Sequence, residues 1–228
     1  MVVAVFSGLI VFVSTASAKI AFEWRVGGKA LAAGEQQTFT ASAESTFDLK
    51  TTVVGFVTLL LATKLKFEPG AKIIGGKPGT AEQTVVFEGV TVDKPTGCEI
   101  ESLSNPVVGT VRTQPLKTEI VEGEISHEPL ILITPKTGTI FSETRFLGAS
   151  CALKGIVGTT TGNLLADPLP HLAEILAGLA DFEASQGNEY LLATGEVAKA
   201  GLVFAGNAAT IGGKALLTLT SDEKFGLF

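Results

Sequence analysis

Polar and apolar positions alternate strictly over residues 19–26, with Ile20, Phe22, Trp24 and Val26 on one side and Glu23 and Arg25 on the other. A period of two sends neighbouring side chains to opposite faces of an extended chain, so this segment reads as a half-buried strand with Trp24 in the core. The same period recurs over 46–49, at Leu65 and Phe67 between Lys64, Lys66 and Glu68, over 85–92, and over 140–146. The run 53–62 is apolar on both sides apart from Thr58 and predicts one central strand covered on both faces; 130–133 reads the same way.

Between these runs the motif of an apolar residue, two glycines and a lysine occurs three times, at Val26-Gly27-Gly28-Lys29, Ile74-Gly75-Gly76-Lys77 and Ile211-Gly212-Gly213-Lys214. Gly-Gly between apolar runs signals a two-residue hairpin turn, because turns of the primed types need positive φ. A phosphate-binding loop does not fit. In the second and third motifs Ala71 and Ala208 occupy its first glycine position, and Pro78 and Ala215 follow the lysine. No nucleotide is implied. One stretch departs from strand spacing: Leu172, Ile175, Leu176 and Leu179 fall at i, i+3, i+4 and i+7, which allows one short helix near 171–180.

The expected fold class is therefore all-β, a mostly antiparallel β-sandwich or flattened barrel. Many short alternating strands joined by Gly, Pro and Asn turns leave few other ways to bury one face each. Ahead of it, residues 1–18 carry no charge and end in Ala16-Ser17-Ala18, the small-residue pattern of a signal-peptide cleavage site. An apolar run of about a dozen residues is short of the ~20 that span a bilayer. Residues 1–18 thus read as a signal peptide, with an uncleaved N-terminal anchor as the alternative, and 19–228 as a single β-rich extracellular domain. The expected location is secreted or on the extracellular face of the cell envelope.

Composition narrows the function. The net charge is −6 and the lysines and arginines are scattered singly, so no basic stripe is available to neutralise phosphates and nucleic acid is not an expected partner. A single Trp and a single Tyr cannot furnish the aromatic girdles of a membrane barrel. The 26 Gly and 14 Phe fit strands joined by tight turns around an aromatic core. Asn105, Asn163, Asn188 and Asn207 all lack the hydroxyl residue two positions on that glycan attachment needs.

The two cysteines, Cys98 and Cys151, are the one place where the chain commits itself chemically. In an oxidising compartment two cysteines of one domain pair, and the structural disulfide Cys98–Cys151 is the expected site. The reactive alternative, a Cys151 nucleophile with His127 or His171, needs an unpaired thiol and a third orienting group. His127, in Ser126-His127-Glu128-Pro129, reads as a polar turn, and Ser150 as a strand residue, since Ala152 stands where a nucleophile elbow needs its second glycine. Two cysteines and two isolated histidines make no zinc cluster, so neither metal nor cofactor is expected. Glu143 and Glu183 are carboxylates that could converge for glycoside hydrolysis, although nothing selects them as a pair.

Phe22-Glu23-Trp24-Arg25-Val26 with Gly28 and Leu31, then 87–92 with Pro95 and Cys98, then 137–141 and 148–151, resemble a group of uncharacterised exported β-rich proteins of actinobacteria. The resemblance, one of spacing and residue class, covers most of 19–228 and implies export and a β-rich fold, with no activity attached. Members carry a second cysteine pair at positions resembling the apolar run 53–62 and Val90; neither is Cys here, which fits one absent disulfide. The leading expectation is a secreted or cell-surface non-enzymatic β domain with a structural, adhesive or binding role and a cell-envelope or protein partner. An extracellular carboxylate-dependent hydrolase and a self-assembling envelope or filament subunit are the alternatives.

Overall fold

The computed structural model describes residues 21–182, 189–192 and 195–228; the expected signal peptide, 1–18, and Glu183 lie outside the described residues. Every regular element among the described residues is a β-strand. The chain opens on a small three-stranded sheet, in which β1 (Trp24–Val26) pairs with β2 (Lys29–Ala30) and with the last strand, β21 (Phe225–Leu227). Between its first and last strands lies a closed eight-strand antiparallel barrel.

Each of the eight barrel strands is long and most are kinked, so that two strands in sequence form one stave. The first stave is β3 (Gln36–Ala43) with β4 (Phe47–Val53), the second β5 (Phe56–Phe67) with β6 (Lys72–Ile74), and the third β7 (Thr80–Gln83) with β8 (Val85–Lys94). After β9 (Glu99–Ser102) come the fourth, β10 (Thr110–Arg112) with β11 (Leu116–Gly123), and the fifth, β12 (Pro129–Pro135) with β13 (Ile140–Leu147). The sixth is β14 (Val157–Leu169) alone. The seventh is split into β15 (Ala177–Asp181) and β18 (Gly201–Phe204) by an excursion through β16 (Glu189–Leu191) and β17 (Val197–Lys199). The eighth, β19 (Asn207–Gly212) with β20 (Lys214–Leu219), closes onto the first through the pairings Ala215↔Ala43 and Thr210↔Lys50.

Every stave pairs with its neighbours in sequence, an up-and-down order that leaves no free edge in the barrel wall. The one irregularity is β9, wedged between β10 and β13 and joined to β10 by the only parallel contact among the described strands. The two-sided burial expected over 130–133 is real. Ile131 and Ile133 face the barrel core, while Leu130 packs outside with Val121, Leu165 and Tyr190 beneath the β16–β17 excursion. Lysines point outward, as Lys50, Lys64 and Lys66 do, and hydrocarbon points inward, the reverse of a barrel that faces lipid.

Four local expectations are corrected. Residues 53–62 are not one strand: Val54 and Gly55, at φ 48° and 83°, form a two-residue turn between β4 and β5, with Val53 paired to Phe56. A valine in the left-handed region is costly enough that the apolar run hid the turn. Of the Gly-Gly motifs only Gly27-Gly28 makes a two-residue turn; the second lies in the loop 75–79. The third is a kink at which a Cβ on Gly213 would stand 2.7 Å from the Phe47 ring. The helix near 171–180 does not form. Ala177–Asp181 pairs on both sides, with β14 and β20, and Leu172 and Leu176 are exposed, so ladder bonds to two neighbours override a helical spacing with nothing to pack on. Ser150 lies in the turn after β13, not in a strand.

Candidate functional site

Alternation along each stave sends every second side chain into the barrel. Where those side chains are large they meet: Phe39 and Phe67 contact edge-on at 4.9 Å, and Phe47 meets Phe87 at 5.5 Å and Phe182 at 5.7 Å between ring centroids. Where they are small they do not. Ala62, Ala81, Ala166, Ala180 and Ala215 all point inward on different staves, and the space they leave is a cavity of ≈ 150 Å³. An apolar cavity of about that size takes a benzene-sized guest.

Side chains pack into both ends of the barrel. At one, Val53, Ile100, Phe146 and Leu153 are almost wholly buried, and Cys98 and Cys151 are bonded there with a Cα–Cα distance of 4.4 Å, as expected. A free Cys151 nucleophile is thereby excluded. At the other end the β2–β1–β21 sheet forms a cap from which Trp24 lines the cavity. Its indole Nε1 donates to the Thr80 carbonyl at 2.8 Å, and its ring packs on Phe225 at 6.3 Å. The core placement expected for Trp24 holds, with an exposure of 3%.

Polar side chains enter the lining from a few staves. Gln83 Nε2 donates to Thr118 Oγ1 at 2.8 Å, and the Thr118 hydroxyl donates to Gln83 Oε1 at 3.2 Å. The Ser142 hydroxyl donates to Thr160 Oγ1 at 2.9 Å, and Thr144 donates to the Gly158 carbonyl at 3.2 Å. Thr113 Oγ1 accepts from the Val85 amide at 3.0 Å. The carboxylate among the lining residues, Asp48, pairs with Lys50 at 2.6 Å. Other carboxylates meet cations on the outer wall: Glu68 with Arg112, Glu101 with Arg145, and Glu82 with Lys136 and Lys72. Their hydrogen bonds from Arg112 and Lys136 hold Glu68 and Glu82 below the usual carboxylate range. Glu143 brings its carbonyl to the Leu103 amide.

The two histidines lie at the capped end. His127, at φ 56°, is the turn residue expected, with Nδ1 at 2.7 Å from Glu122. His171 sits between two carboxylates, Nδ1 at 3.0 Å from Glu128 and Nε2 at 2.5 Å from Asp167, and so ties the loop 124–128 to the turn after β14. Burial alone would lower its pKa, but the hydrogen bonds to Asp167 and Glu128 outweigh that and hold it above its ordinary value. A raised pKa stabilises the fold fully below about pH 6.5, and that contribution is lost as pH climbs through the folded value. His171→Gln is therefore expected to lower the urea midpoint most below pH 6 and least at pH 9. A deficit independent of pH would show that the charge on His171 contributes nothing.

No protein-family model matches this chain, and neither the curated proteins nor the solved structures contain a match. The disulfide was legible from cysteine count alone. The cavity was not, because an inward alanine and an outward one look the same until the barrel closes.

Proposed function

We propose that this chain is an exported, non-enzymatic binding domain whose barrel carries a small apolar molecule. The observation that carries this reading is the ≈ 150 Å³ cavity, lined mostly by hydrocarbon and held open by inward alanines on different staves. An eight-stranded barrel is just wide enough either to fill with side chains or to hold one small ligand, and here alanine stands at positions where leucine or phenylalanine would fill it. Export is supported by the uncharged segment 1–18 with its Ala16-Ser17-Ala18 ending, and by the disulfide, a bond that persists in oxidising compartments. Membership of the exported actinobacterial group would fit the same picture. Self-assembly through strand edges is disfavoured: β2 and β17 are short and carry exposed Lys29 and Lys199, which blunt edge pairing.

The test uses the single tryptophan. Trp24 lines the cavity, so benzene titrated into the full secreted chain should change its fluorescence saturably and raise the melting temperature; at a hundredfold excess over Kd the linkage gain is about 2.7 kcal/mol. Ala166→Leu, which fills the space from β14, should abolish both effects. A wild-type chain that shows no saturable change up to the solubility of benzene overturns the carrier reading.

A further inference from the structure

The cavity has two unlike walls. The first, second, seventh and eighth staves contribute hydrocarbon, as Phe39, Leu60, Leu65, Leu202 and Leu217 do, with Asp48 turned to Lys50 as the exception. The four staves between them contribute all the other polar lining: Gln83, Thr113, Thr118, Ser142, Thr144 and Thr160. Each of these is more than nine-tenths buried, Gln83 being the most exposed at 8%. Thr51 and Thr58, the buried hydroxyl residues of the first and second staves, lie outside the lining, so the polar side chains that reach the cavity come from one half of the barrel.

The bonds within this polar wall do not balance. A side-chain amide has two N–H donors and a hydroxyl has one O–H donor with acceptor capacity besides. Gln83 spends one N–H on Thr118. Thr160 and Thr113 are used only as acceptors, by Ser142 and by the Val85 amide. Among the described residues this leaves an N–H of Gln83 and the O–H groups of Thr113 and Thr160 with no acceptor, in a space otherwise lined by carbon. A buried donor without a partner costs about 1–3 kcal/mol, so an occupant that brings an acceptor is favoured over one that does not.

Resting on the carrier reading above, we propose that the guest is a compact ring compound bearing one carbonyl or hydroxyl oxygen. Its ring lies against the Phe39 and Leu60 wall and its oxygen accepts from the polar wall, where Thr160, Thr113 and Gln83 hold the unspent donors. The volume of ≈ 150 Å³ selects a compact ring over an extended chain, and the surplus of donors selects an acceptor oxygen over a donor-only group such as an ammonium.

The experiment compares cyclohexanone with methylenecyclohexane, which have one shape and differ by oxygen against CH2, using Trp24 fluorescence and calorimetry on the full chain. In the wild type the ketone should bind at least as tightly as the hydrocarbon, although water holds the ketone far better. Thr160→Val, which exchanges the hydroxyl for a methyl, should weaken the ketone about tenfold and leave the hydrocarbon within about threefold, and Thr160→Ser should restore the ketone. Thr113→Val, checked by its melting curve, reads the same loss should Thr160→Val not fold. If methylenecyclohexane binds and the ketone is more than tenfold weaker, or if the valine variants weaken both guests equally, the oxygen assignment falls and the carrier reading stands. If neither guest binds a wild type that does bind benzene, this inference falls and the carrier reading stands; if benzene fails as well, both fall.

Discussion

Replacing Cys98 and Cys151 together by alanine is expected to lower the melting temperature by about 10 °C and to leave the β circular dichroism signal intact. The bond spans a sequence separation of 53, for which loop-closure entropy gives about 4 kcal/mol. For a domain of this length each kcal/mol moves the midpoint by about 2–4 °C. The bond also joins two segments that already touch: a Cβ on Gly148 would stand 2.3 Å from the Gly97 carbonyl, so only glycine lets the two backbones approach this closely. The barrel itself closes through ladder pairings that do not involve either cysteine, and for that reason the fold should survive the loss. Scanning calorimetry of the double variant checks this, and a midpoint within about 2 °C of the wild type would show the bond to be dispensable for stability.

Phe204→Ala should destabilise the domain by about 3–5 kcal/mol and at the same time make the cavity larger. The ring of Phe204 is 1% exposed, meets Phe146 edge-on at 6.2 Å, and lies over Gly158, whose missing Cβ would stand 2.2 Å from Cζ. It also lines the cavity, so removing it joins its own volume to the ≈ 150 Å³ already present. A guest too large for the wild type, such as naphthalene, should then bind and restore part of the lost stability by mass action. The wild type should show no such shift. Denaturant titration gives the loss, and thermal shift with naphthalene gives the rescue. A variant that loses stability without gaining the larger guest would mean that the barrel collapses into the vacated space.

How much of this the sequence held is seen residue by residue. Alternation over 85–92 and 140–146 specifies strands because period two is a local property, readable from i and i+2. It placed Trp24 in the core, and the cysteine count specified the bond between Cys98 and Cys151. The turn at Val54-Gly55 was legible only through Gly55, and the apolar residues around it outweighed that one signal. Leu172, Ile175, Leu176 and Leu179 carry a true helical spacing, yet β15 forms where they begin to diverge from it because β14 and β20 offer Ala177–Asp181 ladder partners on both sides.

The candidate site belongs to the other category. Ala62, Ala81, Ala166, Ala180 and Ala215 are unremarked alternating residues in sequence, as are Thr113, Ser142 and Thr160. They acquire a common interior only when Ala215, near the end of the chain, pairs with Ala43 near its start and the sheet becomes a closed wall. Local periodicity fixes which side chains share a face of one strand. Which face is inward, which small residues meet across the barrel, and which hydroxyls are left without an acceptor depend on pairings between distant segments, and only the tertiary structure decides them.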